Sequence, residues 1–163
     1  IGRKIGLYTG AGKAFVGDLK VADLGIPDVS RSVPIETSLL AWQHERLPAI
    51  SLQAHKHQRG KVVIVGGDLG MGGAVLMAAE AALRCGAGLV SVVTQSEHRS
   101  ALLARVPEAM FVDPESTALP EILGAADFIV IGPGLGRRAW GGGLFKVVAA
   151  AATPKLVDAD GLY

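Results

Sequence analysis

Lys61-Val62-Val63-Ile64-Val65-Gly66-Gly67-Asp68-Leu69-Gly70-Met71-Gly72-Gly73-Ala74 decides the fold. Four consecutive β-branched residues, Val62 to Val65, read as a strand covered on both faces, and Gly66-Gly67 closes it. The alanine-rich stretch from Ala74 to Cys85 reads as a helix whose only charges, Glu80 and Arg84, lie four apart on one exposed stripe where they can pair. Gly86 is suited to end it. A buried strand, a glycine loop and an apolar helix in that order form the opening of a βαβ unit.

The rest of the chain repeats this pattern. Strands are expected near 62–66, 89–94, 128–132 and 155–158, with helices at 97–105 and 145–152 between them. Short buried strands alternating with helices predict an α/β protein with a mostly parallel sheet. Before residue 61 the texture differs. Residues 1–27 are glycine-rich, and Leu19 to Pro27 alternates like one strand stopped by Gly25 and Pro27. Residues 28–50 read as a connecting segment with a short helix at 36–46. Cys85, Met71 and Met77 read as core residues of the chain's apolar interior.

Composition narrows the function classes. Sixteen basic residues against fifteen acidic ones leave no electrostatic footprint for nucleic acid. No apolar run reaches bilayer-spanning length, so no membrane partner is expected. The lone Cys85 excludes an internal disulfide and fits a cytoplasmic setting. His55 and His57 lack a carboxylate or thiol at ligand spacing, so no metal site is read there. Gly10-Ala11-Gly12-Lys13 imitates a P-loop end, but Leu7 and Ala14 stand where its first Gly and its Ser/Thr belong.

In parallel sheets ligands collect beyond the carboxyl ends of the strands. Three loops there carry candidate residues. In the loop after the first strand, Gly66, Gly67, Asp68, Gly73 and Ala74 could admit a ligand's backbone approach, with the following helix N-terminus offering N–H groups to phosphate. The competing reading is a tight strand-to-helix turn with packing glycines. Gly132-Pro133-Gly134-Leu135-Gly136, with Ala139, makes a relaxed G-x-G-x-x-A, and Asp158 follows a strand later. That pattern keeps an NAD-binding Rossmann oxidoreductase open, although Gly141-Gly142-Gly143 is expected to interrupt the helix such a motif requires. Asp158 and Asp160 end the last strand and could accept from hydroxyls, hold a hydrated cation or cap a turn.

The runs His55-Lys56-His57-Gln58-Arg59-Gly60, Val62 to Asp68, Gly70 to Ala74 and Ala78 to Val90 resemble the opening of NAD(P)H-hydrate dehydratases. Pro107-Glu108-Ala109-Met110, Ile131-Gly132-Pro133-Gly134-Leu135-Gly136 and Val157-Asp158-Ala159-Asp160 follow in that family's order. The resemblance implies a ribokinase-like three-layer α/β fold, of which this chain holds the N-terminal half. It implies dehydration of (S)-NADHX or NADPHX driven by ADP or ATP, with Mg2+ in the full-length enzyme. Gly66, Gly67, Asp68, Gly73, Ala74, Gly134 and Gly136 would approach the hydrated nicotinamide, with Asp158 and Asp160 behind them. Residues 4–10 and 17–27 resemble the close of an NAD(P)H-hydrate epimerase domain, which divides the chain into an epimerase tail (1–27), a linker (28–50) and the first half of a dehydratase (51–163). The family's Gly-Thr-Gly-Asp segment, with its proposed catalytic Asp and most nucleotide contacts, is expected beyond Tyr163. The fragment alone is then expected to be inactive, and the full-length enzyme a homo-oligomer. The rival readings are another ribokinase-like small-molecule kinase and an inactive truncated module.

Overall fold

The computed structural model describes residues 4–22, 24, 25, 39 and 55–163. The chain divides into two compact units, Ile1–Ala49 and Ile50–Tyr163. In the first, two 3-10 turns, Ile5–Leu7 and Gly10–Phe15, are the regular elements among the described residues. The strand expected over 19–27 is not formed at Leu19 to Ala22, and its remaining residues are only partly described. The helix expected over 36–46 lies outside the described residues.

The second unit is a five-stranded sheet, all parallel, with strands β1 (Lys61–Val65), β2 (Leu89–Val93), β3 (Met110–Val112), β4 (Phe128–Ile131) and β5 (Lys155–Val157) in the spatial order β3-β2-β1-β4-β5. Four helices connect them: α1 (Gly72–Arg84), α2 (Arg99–Arg105), α3 (Leu119–Gly124) and α4 (Ala139–Ala150). The alternating side chains of β1 explain the layering. Val63 and Val65, with Ile129 and Ile131 beside them, pack against Leu119 and Leu123 of α3 and Leu144 and Val148 of α4. Ile64, flanked by Val90 and Val92, meets Val75 and Ala79 of α1 and Leu102 of α2 on the other face. A strand covered on both faces needs an apolar residue at every position, and Val63, Ile64 and Val65 are all buried.

Helix α1 ends as the sequence suggests. Gly86 takes a left-handed φ of 102°, its N–H donates to the Leu83 carbonyl, and the Ala87 N–H reaches back to Ala82. This is a Schellman closure, which satisfies two carbonyls that the helix leaves free. Glu80 and Arg84 pair on its exposed side, and Arg105 of α2 joins them at 3.0 Å.

The structure departs from the sequence reading in four places. Strand β3 and helix α3 were not anticipated, being three and six residues long and too short to show a period. Gly141-Gly142-Gly143 does not interrupt a helix, because α4 runs through all three. A Cβ on Gly141 would lie 2.6 Å from the Gly136 carbonyl, so close approach to the loop after β4 requires glycine there. Nothing in the structure explains Gly142 or Gly143, which face open space. Cys85 and Met77 are exposed, not core, since α1 buries only a narrow stripe led by Val75 and Ala79. No helix among the described residues is long and apolar enough to cross a membrane.

Ile131 sits at the point where β4 meets β1 and β5, fully buried between α3 and α4. Ile131→Ala is expected to cost about 2–5 kcal/mol, read as a lower urea midpoint. Met77→Ala, on the outer side of α1, is expected to stay within about 0.5 kcal/mol of the parent.

Candidate functional site

The strand order places the site. From β1 the chain runs outward through β2 to β3, then returns to the opposite side of β1 to form β4 and β5. The loops that leave β1 (66–71) and β4 (132–138) therefore depart to opposite faces of the sheet, and the crevice above such a reversal is where doubly wound proteins hold ligands.

These two loops are stapled by main chain. The Gly67 N–H donates to the Pro133 carbonyl at 2.9 Å and the Asp68 N–H to the Gly134 carbonyl at 2.7 Å. The buried Thr94 hydroxyl, just after β2, donates to the Gly67 carbonyl at 3.0 Å. Such short backbone contacts leave little room for side chains. A Cβ on Gly66 would strike the Pro133 carbonyl, and one on Gly67 would strike Thr94 Oγ1. One on Gly72 would meet the His98 ring at 2.6 Å, and one on Gly134 would lie 2.8 Å from the Met71 carbonyl and 3.1 Å from the Ala74 methyl. Gly136, at φ 71°, would put its Cβ 2.6 Å from an Asp68 carboxylate oxygen. Gly66, Gly67, Gly72, Gly134 and Gly136 are thus needed by the local packing. Gly73 differs. It is exposed in the first turn of α1, and a Cβ there would meet nothing within 4 Å.

Asp68 is the centre of the arrangement. Its carboxylate is almost fully enclosed, with a side-chain exposure of 2%. Oδ1 accepts from the Leu69 N–H at 2.8 Å and from Gln95 Nε2 at 3.3 Å. Oδ2 accepts from Arg138 Nε at 3.1 Å and pairs with Arg138 Nη2 at 3.0 Å. Burial by itself raises the carboxyl's pKa. The Leu69 N–H, the Gln95 amide and the Arg138 hydrogen bond and charge together outweigh it, leaving the group below its ordinary value. His98 Nε2 lies 3.3 Å from the Asp68 carbonyl and closes the loop from the α2 side.

A second acidic residue holds the far side of the β4 loop. Asp160 Oδ2 accepts from the Gly136 N–H at 3.0 Å, and Oδ1 faces Arg137 Nε at 3.8 Å. Asp158 contributes through its backbone: its N–H donates to the Ile131 carbonyl at 2.8 Å and its carbonyl accepts from Gly161, while its carboxylate is exposed. Leu135, Gly136, Arg137, Phe145, Asp160 and Tyr163 border an open cavity of about 160 Å³ beside this loop. Arg137 stacks over the Tyr163 ring at 3.9 Å.

The structure thus draws Gly66, Gly67, Asp68, Ala74, Gly134 and Gly136 into one assembly, with Gly73 at its open rim. Asp160 touches that assembly directly and Asp158 through main chain alone. Sequence reading missed Arg138, Gln95, Thr94 and His98. The available signal was the opposite charge of Asp68 and Arg137-Arg138 in loops that both begin at the carboxyl ends of adjacent parallel strands.

Residues 62–163 match the family model described as NAD(P)H-hydrate dehydratase. The chain is 44% identical to the bifunctional NAD(P)H-hydrate repair enzyme of Coxiella burnetii, over 99% of this chain and 34% of that protein. It is 40% identical to the ADP-dependent (S)-NAD(P)H-hydrate dehydratase of Listeria monocytogenes, over 77% of this chain and 45% of that protein. Among solved structures, a ribokinase-like superfamily protein from Enterococcus faecalis aligns with a TM-score of 0.66 at 36% identity, over 70% of this chain and 42% of that one. The ADP/ATP-dependent NAD(P)H-hydrate dehydratase of Bacillus subtilis, co-crystallized with ATP/Mg2+, aligns with a TM-score of 0.60 at 25% identity, over 71% of this chain and 43% of that one. The chain spans about a third of the length of the bifunctional relative.

Asp68→Asn removes the charge and keeps the shape, leaving Arg138 without its partner. At pH 7 it is expected to destabilise the protein by about 1–3 kcal/mol. Because the folded carboxyl titrates below its ordinary value of 3.8, its stabilisation is complete above that value and lost as pH falls through the folded one. The gap between parent and variant urea midpoints should therefore be widest at neutral pH and shrink steadily in acid below about pH 4.

Proposed function

The chain belongs to the NAD(P)H-hydrate dehydratase family, and from this we propose that it supplies the hydrate-binding side of an ADP- or ATP-dependent (S)-NAD(P)H-hydrate dehydratase. The observation that carries the proposal is the pair of glycine-rich loops joined above the strand reversal, with Gly73 open at their rim. Such a rim lets a flat ring and its phosphates come close to backbone without meeting side chains. In this reading Gly66, Gly67, Asp68, Gly134 and Gly136 shape the floor, while Gly73 and Ala74 face the substrate. Asp160 steadies Gly136, and Asp158 fixes the turn behind it.

The chemistry proposed for the complete enzyme is transfer of a phosphoryl group to the hydrate hydroxyl, then loss of phosphate and of a ring proton to restore the double bond. This chain's residues would bind and orient the hydrate and limit water around it. A bound Mg2+ would neutralise charge on the nucleotide phosphates. The described residues do not form a cation cage: no three metal-ligating side chains converge among them. Asp68 and Asp160 are already engaged by Arg138 and by the Gly136 N–H. We also assign residues 1–27 to the end of an epimerase domain, 28–50 to a linker and 51–163 to the first half of the dehydratase, within a cytoplasmic homo-oligomer.

The full-length protein incubated with (S)-NADHX and ADP should restore reduced-nicotinamide absorbance, and residues 1–163 alone should not. Phosphorylation of a vitamin alcohol in preference to NADHX would replace the proposal with a small-molecule kinase. Gly73→Val in the full-length protein is expected to raise KM for the hydrate while leaving the unfolding midpoint near the parent's, because the added branch meets solvent rather than protein. An equal loss of stability and activity would show that Gly73 serves packing.

A further inference from the structure

Arg138 is the side chain at this site with both a fixed anchor and an exposed face. Its guanidinium spends the Nε and Nη2 side on one buried oxygen, Asp68 Oδ2, at 3.1 and 3.0 Å. Its side chain is nevertheless 64% exposed. A guanidinium carries five N–H donors, so the Nη1 side and one Nη2 hydrogen remain free of this contact. An arginine on a loop ordinarily samples many rotamers. This one is tied to a carboxylate that Leu69 and Gln95 hold from the other side, so its charge stands at a set place above the strand reversal. An outward-facing planar fork is the arrangement that recognises phosphate oxygens.

We propose that Asp68 is a positioning residue that fixes the Arg138 guanidinium, and that the exposed side of Arg138 binds a phosphate group of a ligand in the switch-point crevice. The inference rests on the dehydratase reading, because that reading supplies two phosphate-bearing ligands: the pyrophosphate of the hydrated dinucleotide and the phosphates of ADP. Both present the same chemistry to Arg138. Asp68 touches neither. It acts by orienting Arg138 and by keeping the β1 and β4 loops in one piece.

The test uses the full-length protein with Arg138→Ala, Arg138→Lys, Asp68→Asn and the double variant. KM for (S)-NADHX and KM for ADP are measured separately beside kcat and the thermal midpoint. Arg138→Ala is expected to raise one of the two KM values by about tenfold or more with kcat little changed, and to lower the thermal midpoint because it leaves the enclosed Asp68 carboxylate without its cation. The ligand whose KM rises is the source of the phosphate. Asp68→Asn should raise the same KM, and the double variant should bind no worse than Arg138→Ala, because Asp68 has nothing left to orient. Arg138→Lys should recover the loss in part, since an ammonium keeps the charge without the two-bonded anchor.

Several results would overturn the inference. Unchanged KM for both ligands in folded Arg138→Ala would do so, as would additive losses in the double variant. Full recovery by Arg138→Lys would show that charge alone matters. An Asp68→Asn variant that loses stability and kcat with both KM values intact would reduce Asp68 to a packing role. Should Asp68→Asn fail to fold, the two exposed Arg138 variants still decide whether Arg138 binds phosphate and whether its anchoring matters. Wild type that binds ligands without turning over NADHX would remove the dehydratase reading alone. Equilibrium titrations with ADP and with NADH on the same variants would then show whether Arg138 holds phosphate, and equal affinity in parent and Arg138→Ala would refute it.

Discussion

The Asp68 carboxylate accepts from the Leu69 N–H, the Gln95 amide and the Arg138 guanidinium, groups that belong to the loops after β1, β2 and β4. A carboxylate taken out of water costs several kcal/mol unless donors replace the lost hydration. Both oxygens here are supplied, so the charge is kept and the three loops are tied to one point. The neighbouring main chain repeats the tie, Gly67 to Pro133 and Asp68 to Gly134. Three strands of a parallel sheet share no turn with one another. Above their carboxyl ends, they depend on contacts like these to present one surface.

That arrangement changes what the glycines mean. A glycine-rich loop suggests space for a ligand, yet the space next to Gly66, Gly67, Gly72, Gly134 and Gly136 is filled by protein: the Pro133 carbonyl, Thr94, His98, Met71 with Ala74, and Asp68. The loops are rich in glycine because two chains of backbone meet at hydrogen-bonding distance. For the ligand proposed above the benefit would be indirect, through a low rim built from tightly paired loops. Gly73, with neither strain nor a neighbour at its would-be Cβ, has no packing reason to be glycine.

The sheet was legible where burial demanded it. Val62 to Val65, Leu89 to Val93 and Phe128 to Ile131 are apolar at nearly every position because helices cover both faces, and a continuous run of that kind announces itself. Gly86 marked the end of α1 for a local reason, its left-handed φ. Strand β3 and helix α3 stayed hidden because neither is long enough to show a period. The three glycines of α4 misled because propensity, at about 1 kcal/mol per glycine, was outweighed at Gly141 by contact with Leu135 and Gly136. The family resemblance supplied the ribokinase-like fold, which spacing alone leaves undetermined. At the site, the glycine loops and Asp68 could be found from strand ends. Arg138 lies seventy positions from Asp68, and Gln95 twenty-seven, so no local pattern joins them. Only the sheet order does so.

The same order explains how these loops hold their shape. Every contact that fixes Asp68 comes from the β1, β2 and β4 loops, all of which are contained in residues 61–138. The loop geometry is thus settled by short, charge-assisted bonds made within this unit, before any nucleotide-binding segment is considered. Preorganisation of that sort lowers the ordering cost of binding. It does little for reaction unless a second reactant is placed against the first, since most of the advantage of a bimolecular site comes from holding both partners together. Under the proposed function, a hydrate-binding rim and an absence of turnover by residues 1–163 would therefore be compatible, and the order of the rim follows from Asp68 rather than from the chemistry it would serve.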